Sequence, residues 1–168
     1  MTITPESLQN RFPQLLDKLN LAAVQSVLNH LERITATPGQ MLYRCGEHAD
    51  AFYLVWEGKV ALSLTVAGEE KYLGTIGPGQ FSGMAAVIDP GPALLSAKII
   101  EPSLLLRLTH AQLLRLRTTQ PRVGSDLLRA FSLNLVNWLR SYEEYLAERN
   151  QPDDFIEFFR LGRIAQQP

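Results

Sequence analysis

The stretch that decides the fold is Ala51-Phe52-Tyr53-Leu54-Val55-Trp56-Glu57-Gly58-Lys59-Val60, in which a glycine separates two apolar runs. Glycine between short strand-like runs indicates a turn, because its backbone adopts conformations that residues with a Cβ resist. Short runs of this kind continue from Ile34 to Leu108, and their spacing is typical of an antiparallel sandwich or barrel. The predicted strands are Met41 to Tyr43, Ala51 to Trp56, Lys59 to Val66, Lys71 to Ile76, Ala97 to Ile100 and Leu104 to Leu108.

Helical patterns precede the strand region. Thr4 can cap a helix in which Pro5 takes the first position, and apolar residues recur at helical spacing as far as Leu19. A second short helix is predicted from Leu21 to Leu31. The strands are therefore expected to be covered at the N-terminal side by helices.

Two more helices are predicted after the strands. Thr109-His110-Ala111-Gln112 matches a capping box, and Gln120-Pro121 opens a long helix that extends to about residue 149. Apolar residues on this helix step by three and four over almost three heptads, which predicts a dimer seam. Packing against the chain's own strands is the alternative. The predicted interface residues are Leu128, Phe131, Leu135, Trp138, Tyr142 and Tyr145.

Composition excludes several classes of protein. The 168 residues are 46% hydrophobic and 20% charged, which fits one globular domain with its own core. Sixteen Lys and Arg against seventeen Asp and Glu give a formal net charge of -1, which disfavours a dedicated nucleic-acid binder. No apolar run approaches the ~20 residues of a membrane span, and no secretion signal opens the chain, so we expect a soluble cytoplasmic protein.

Three segments carry a resemblance to a known family: residues 37–47 (TPGQMLYRCGE), 51–60 (AFYLVWEGKV) and 73–83 (LGTIGPGQFSG). In this order they resemble the cyclic-nucleotide-binding domain of the catabolite-activator (Crp/Fnr) type, and the resemblance covers roughly residues 5 to 148. It implies an α+β, mainly β fold: a jelly-roll barrel flanked by N-terminal helices and a long C-terminal dimerisation helix. We accordingly predict a domain over residues 1–149 and a short helical extension over 150–168, without the helix-turn-helix DNA-binding domain of the family's transcription factors.

The resemblance also locates a phosphate-binding cassette that begins at Gly83. In the family, a glutamate directly after this glycine takes the ribose hydroxyl, and a later arginine pairs the cyclic phosphate. Here Met84 and Leu95 stand at those two positions, and Lys98 and Arg107 are the nearest basic residues. Loss of two charge-assisted hydrogen bonds, each worth about 1.5 to 3 kcal/mol, disfavours a cyclic nucleotide as cofactor.

We therefore expect a degenerate pocket that is filled by Met84, Leu94 or Leu95 or that binds something less polar than a nucleotide. The family's base-contacting turn falls on the long helix near Trp138 and Leu139. The predicted pocket residues are Gly83, Met84, Ala85, Leu95, Ser96, Ala97, Trp138 and Leu139.

Catalytic and metal sites are poorly supported by the sequence. Ser82 lies one residue away from a nucleophile-elbow position and has no histidine paired with it. Among the cysteine and the histidines, only Cys45 and His48 are close enough to act as joint metal ligands, and a solvated histidine explains His48 better in a turn with Glu47 and Asp50, so no metal is predicted. Glu69-Glu70 fits a solvated hairpin tip. We do not expect an enzyme.

The sequence predicts a non-enzymatic regulatory module that acts as a homodimer on an unidentified protein partner, with no specific DNA binding and no membrane contact. Phe155, Phe158 and Phe159 form a candidate docking helix, or alternatively cap the domain's own core. A basic stretch over residues 107–129 fits a solvated helix face better than a partner site. The alternative function is a ligand sensor that still binds a cyclic nucleotide or another small molecule.

Overall fold

The computed structural model describes residues 2–66 and 68–148, with all of their side chains except those of residues 66 and 142–148. The chain divides into two compact units, and the boundary between them falls after Phe131, inside the last helix. The helices are α1 (Pro5–Arg11), α2 (Pro13–Leu16), α3 (Leu21–Leu28), α4 (Met84–Ile88), α5 (His110–Thr119) and α6 (Pro121–Glu148). The strands are β1 (Glu32–Ala36), β2 (Met41–Tyr43), β3 (His48–Ala49), β4 (Ala51–Glu57), β5 (Val60–Val66), β6 (Glu69–Ile76), β7 (Phe81–Ser82), β8 (Gly91–Pro92), β9 (Ser96–Ile99) and β10 (Ser103–Thr109).

In the described residues the strands form two four-stranded antiparallel sheets and one two-stranded ribbon. The first sheet has the order β1-β10-β4-β7, the second has the order β2-β9-β5-β6, and β3 pairs with β8. Neighbours such as β10 and β4 are far apart in sequence, which is the pattern of a sandwich and not of a simple meander. The predicted α+β, mainly β fold with flanking helices is confirmed.

Strand β4 carries a core on each of its faces. Phe52 and its alternate neighbours pack with the helices, whereas Tyr53 and its alternate neighbours pack between the two sheets, since successive side chains of a strand point in opposite directions. We call these the helix-side core and the inter-sheet core. The helix-side core includes Leu8, Phe12, Phe52, Leu54, Trp56, Leu106, Leu108, Leu113, Leu116, Leu127 and Phe131. The inter-sheet core consists of Ala36, Ala51, Tyr53, Val55, Val60, Ala97, Ile99 and Leu105.

The helices begin where the capping residues predict, but the first helix ends earlier than the apolar periodicity predicts. Thr4 and Thr109 both form capping boxes, as the sequence predicts. The predicted first helix is broken at Phe12, because Pro13 lacks a backbone N–H and disfavours helical backbone in the preceding residue. Glu69 and Glu70 are exposed at the start of β6, directly after the β5–β6 turn, as predicted for a solvated hairpin tip, and the Glu70 carboxylate accepts a hydrogen bond from the buried Ser63 hydroxyl.

The structure corrects one residue of the predicted dimer seam. Phe131 is only 1% exposed, and its ring lies 4.9 Å from that of Phe52 in the helix-side core of the same chain. A side chain in that position is not available to a partner subunit. Leu128 is half-buried against the same core. Periodicity alone could not separate these residues from a seam, because the first turns of α6 bury the same apolar stripe within the chain.

Other predictions fall on the rest of the last helix and beyond it. Tyr142 and Tyr145 lie on α6, but their side chains are outside the described residues, as are Phe155, Phe158 and Phe159. Over the described part of the chain, no helix combines the length and the apolar character that a membrane span requires.

The contact between α5 and α6 yields a prediction about stability. A Cβ on Gly124 would lie 2.6 Å from Arg117 Cγ and 2.8 Å from Arg117 Cα, so alanine at this position forces the two helices apart. Helix propensity alone favours alanine over glycine by about 1 kcal/mol. We expect the overlap to outweigh that gain and Gly124→Ala to destabilise the protein by about 1–3 kcal/mol in urea denaturation.

The matched control is Ser125→Ala, an exposed position one residue further along the same helix. It should leave stability unchanged or raise it slightly, because alanine is the better helix former. A Gly124→Ala variant as stable as wild type would show that α5 and α6 do not approach each other this closely.

Candidate functional site

The predicted cassette begins where β7 pairs with Tyr53 and Leu54 of β4. Gly83 follows β7 with φ +90° and caps α4. A Cβ at this position would lie 2.3 Å from the Ala51 carbonyl oxygen, so only glycine fits both the backbone conformation and the space. The glycine therefore holds α4 directly against the central strand.

Met84, the first residue of α4, does not point between the sheets. It is half-buried and packs against the helix-side core, on the opposite face of β4 from the inter-sheet core. Ala85, the next predicted pocket residue, is exposed. At the position of the family's ribose-binding glutamate, the structure thus has a thioether that contacts other apolar side chains.

The loop after α4 is held by backbone hydrogen bonds to the turn between β2 and β3. Gly46 N donates to the Ala93 carbonyl at 2.8 Å, and Ala93 N donates to the Glu47 carbonyl at 2.8 Å. The β3–β8 ribbon continues this pairing. Leu94 points outward and is 73% exposed, so the expectation that it fills the pocket is wrong.

The residues at the start of β9 lie next to this loop. Leu95 is half-buried, and the buried Ser96 accepts a hydrogen bond from Cys45 N at 2.9 Å through its Oγ. Ala97 is fully buried in the inter-sheet core. Lys98 alternates to the outer face and is exposed, so it is not a substitute cation for the pocket.

Polar side chains form a row across the inner face of the first sheet beside the cassette. In the strand register, Arg107 of β10 lies opposite Glu32 of β1 on one side and Tyr53 of β4 on the other. Tyr53 in turn lies opposite Ser82 of β7. Directly paired residues project from the same face, and Tyr53 faces the inter-sheet core, so all four belong to that face. We call Glu32, Arg107, Tyr53 and Ser82 the inner row.

Tyr43 connects the second sheet to the inner row. The hydroxyls of Tyr43 and Ser82 share a hydrogen bond, and the Tyr43 and Tyr53 rings lie 6.0 Å apart at an interplanar angle of 33°. Two aromatic rings and a serine from both sheets therefore occupy the inner face next to Gly83. Neither tyrosine stands out in the sequence as a site residue.

Arg107 is the positively charged member of the inner row. Its Nη1 lies 3.3 Å from Glu32 Oε2 and its Nη2 lies 3.8 Å from Asp50 Oδ1. Its Nε is buried and has no hydrogen-bond partner among the described residues. Buried donors are normally paired, so this nitrogen could serve a ligand oxygen or a water molecule.

The environment of the two tyrosines keeps them neutral. Burial raises the pKa of the Tyr43 phenol above its ordinary value of 10.0, and the hydrogen bond with Ser82 offsets only part of that effect. Burial also raises the pKa of Tyr53, and the neighbouring Arg107 guanidinium partly counteracts it. Both phenols are therefore protonated at neutral pH and can donate hydrogen bonds.

The remaining candidates occupy other positions. Trp138 and Leu139 belong to the second unit, where Trp138 is 65% exposed and Leu139 is half-buried. The Ser82 hydroxyl shares a hydrogen bond with the Tyr43 hydroxyl, and the ring of His110 donates a hydrogen bond to the Val87 carbonyl. Neither contact pairs Ser82 with a histidine. Within residues 2–66 and 68–148, no three metal-type side chains converge, and Cys45 Sγ donates to the Leu94 carbonyl at 3.4 Å.

One sequence signal could have found the inner row. Tyr53 alternates with Ala51 and Val55 along β4, and Arg107 alternates with Leu105 along β10, so strand periodicity places each pair on one face. Which strands are neighbours is set by long-range pairing that the local pattern does not contain.

Comparison with known proteins gives consistent results. A family model described as "Cyclic nucleotide-binding domain" matches residues 33–120. The cyclic AMP receptor protein of Thermus thermophilus is 32% identical over 105 residues, which are 62% of this chain and 49% of the relative. A CRP-like cAMP-activated global transcriptional regulator of Mycobacterium tuberculosis is 26% identical over 147 residues, which are 87% of this chain and 61% of the relative.

The structural comparison supports the same assignment. The crystal structure of Thermus thermophilus catabolite activator protein matches with a TM-score of 0.70 and 29% identity, over 82% of this chain and 63% of that one. The chain spans about half to three-fifths of the length of the curated relatives it matches. By the extent of the family match and by its fold, this chain belongs to the cyclic nucleotide-binding domain family, as found in Crp-like regulators.

Proposed function

We propose that this chain is a non-enzymatic regulatory module that has lost the charged cassette residues for a cyclic nucleotide and acts as a dimer through contact with another protein. The observation that carries the proposal is the hydrogen bond between Tyr43 and Ser82, which joins the two sheets on the inner face beside Gly83. A nucleotide on that face would have to displace the half-buried Tyr43 and the buried Tyr53. The relatives named above are regulators, which agrees with a regulatory role.

The apolar cassette supports the same proposal. Two charge-assisted hydrogen bonds, at about 1.5 to 3 kcal/mol each, correspond to at least about a hundredfold in affinity. Met84 supplies no such bond and is engaged with the helix-side core, and Leu95 supplies none from the other side of the loop. We therefore assign no cyclic nucleotide to this cassette as a cofactor.

Arg107 favours the second candidate function, a sensor of a small molecule. It is a cation on the inner face with a buried Nε that lacks a partner among the described residues. It already contacts two carboxylates, Glu32 and Asp50, so a negatively charged ligand would compete with both. We therefore rank the sensor second.

Exposed apolar side chains on α6 support a dimer. Trp138 is 65% exposed, and Leu135, three residues before it on the same face of the helix, is half-buried. Large apolar side chains grouped on one stretch of an exposed helix mark an interaction surface. The seam we propose therefore runs along the second unit, where Leu135 and Trp138 belong to the predicted heptads, and it excludes Phe131.

The first prediction concerns nucleotide binding. Calorimetric titration of the wild type with cyclic AMP and cyclic GMP should show no binding tighter than about 1 mM. In a Tyr43→Ala background, adding Met84→Glu and Leu95→Arg should tighten cyclic AMP binding at least about a hundredfold, because a carboxylate at residue 84 avoids the apolar helix-side core and both charged contacts return. Met84→Gln with Leu95→Met in the same background is the neutral control and should gain nothing. Micromolar binding by the wild type would contradict the proposal, as would a folded triple variant that gains no affinity.

The second prediction concerns alkaline pH. Because burial raises the Tyr43 pKa, the unfolded chain releases this proton at a lower pH than the folded chain. The corresponding stability is complete below the ordinary pKa of 10.0 and falls as the pH rises above it. Between about pH 9 and about pH 11, thermal unfolding midpoints should fall further for the wild type than for Tyr43→Phe. Equal decreases would indicate that Tyr43 is not buried.

The third prediction concerns the dimer. Leu135→Asp with Trp138→Asp should convert a dimer into a monomer in sedimentation velocity, because each large apolar side chain at the seam contributes roughly 1.5 to 3 kcal/mol. Asn137→Asp with Ser141→Asp adds the same charge at exposed polar positions of α6 and should leave the dimer intact. A wild type that is already monomeric at tens of micromolar would refute the seam.

A further inference from the structure

The junction of α5 and α6 forms a groove that the proposed function does not yet use. Gly124 allows α6 to approach the backbone of Arg117, and the aliphatic stem of Arg117 lies over that glycine. Beside this contact is a groove of about 420 Å³, within the ~300–1,000 Å³ range of ligand-binding clefts. We call it the junction groove. It is lined by Leu114, Arg117, Thr118, Pro121 and Ser125.

The lining combines apolar and polar groups. Leu114 is 42% exposed and forms an apolar wall with the ring of Pro121. The Thr118 hydroxyl donates to the Leu114 carbonyl at 2.9 Å and so does not need a partner of its own. An apolar side chain can therefore enter the groove without leaving that hydroxyl unpaired.

Positive charge surrounds the junction groove. Arg117 lines it, and Arg122 and Arg129 lie three residues before and four residues after Ser125, which places them on the same side of α6. Arg115 is a fourth exposed arginine, on α5, and Asp126 is the one acidic residue between residues 107 and 129. Among the described residues, none of the four arginines forms an ion pair.

We propose that the junction groove binds an acidic segment of a partner protein, with an apolar side chain of that segment seated between Leu114 and Pro121. Charge complementarity selects the occupant, since the four arginines have no carboxylate partner in the part of the chain that the structure describes and attract negative charge, and the apolar wall attracts a leucine or a phenylalanine. The aliphatic stem of Arg117 packs over Gly124 and so holds the guanidinium in place before a partner binds. This lowers the entropic cost of binding. This inference rests on the proposed function, because it identifies the surface through which the module contacts another protein.

A nucleic acid fits the groove less well. Its recognition depends on many phosphate contacts along a basic surface, and the chain as a whole has a formal net charge of -1. The apolar wall of Leu114 and Pro121 has no role in binding to phosphates. DNA is therefore included in the test as a competitor.

The test is fluorescence anisotropy with the full chain and three labelled peptides of equal length. The probe has aspartates and glutamates on both sides of a Leu-Phe pair. One control peptide carries Asn and Gln in place of the acids, and the other carries serines in place of Leu and Phe. We expect the probe to bind with a Kd on the order of tens of micromolar and each control peptide to bind at least about tenfold more weakly. Binding should weaken as salt is raised.

Two variants of the protein address the groove itself. Arg122→Glu with Arg129→Glu reverses the charge at two of the four arginines, and Ser125→Trp fills the groove while leaving the charge unchanged. Each should weaken probe binding at least about tenfold. The matched control, Lys71→Glu with Lys98→Glu, makes the same charge change at exposed strand positions and should alter the Kd less than about twofold. Circular dichroism and thermal midpoints show that each variant is folded.

Several results would overturn the proposal. In the first two, the probe does not bind, or the neutral peptide binds as tightly as the probe. In the other two, the Lys71→Glu with Lys98→Glu control loses as much affinity as the arginine variant, or the Ser125→Trp variant keeps the full affinity of the wild type. Displacement of the probe by a duplex oligonucleotide at equal concentration would assign the arginines to a nucleic acid instead. Titration of the same protein samples with cyclic nucleotides does not involve the junction groove. If the peptide does not bind, the proposal for the groove fails, whereas the proposal that the cassette binds no nucleotide is tested separately.

Discussion

The structure of the first unit depends on the burial of β4 on both of its faces. Phe52, Leu54 and Trp56 anchor the helices, whereas Tyr53 and Val55 anchor the second sheet. A strand of this kind fixes both layers at once, because a slip by one residue would exchange the two sets of side chains. The cassette inherits its place from the same strand, since Gly83 rests on the Ala51 carbonyl and Ser82 pairs with Tyr53.

This constraint explains how a domain of a nucleotide-binding family can have an inner face of a different character. The alternation of β4 turns Tyr53 inward, and the register of its neighbours adds Arg107 and Ser82 from either side. Tyr43 then completes a contact between the two sheets. Meanwhile Met84 packs toward the helices, so the two sides of the cassette are stabilised by separate cores. In the function we propose, helices α5 and α6 bind a partner protein, and the inner face of the sheets binds no nucleotide.

Much of the fold could be predicted from local sequence signals. The glycines between apolar runs and the capping residues Thr4 and Thr109 act within a few residues, and the structure confirms the strands and helix starts they indicate. The inner row could not be predicted in this way, because the pairing of Arg107 with Tyr53 joins strands that are distant from each other in the sequence. Phe131 illustrates the same limit: its spacing fits a dimer seam, and only its contact with Phe52 identifies it as part of the core.

The central claim is that tyrosine and serine side chains, and not a cyclic nucleotide, occupy the inner face beside Gly83. Its most direct test is a crystal structure of the wild-type protein grown with millimolar cyclic AMP. We expect electron density for an intact hydrogen bond between Tyr43 and Ser82 and for Met84 packed against the helix-side core, with no nucleotide between the sheets. A nucleotide bound next to Gly83, with the Tyr43 ring displaced from Tyr53, would contradict the account.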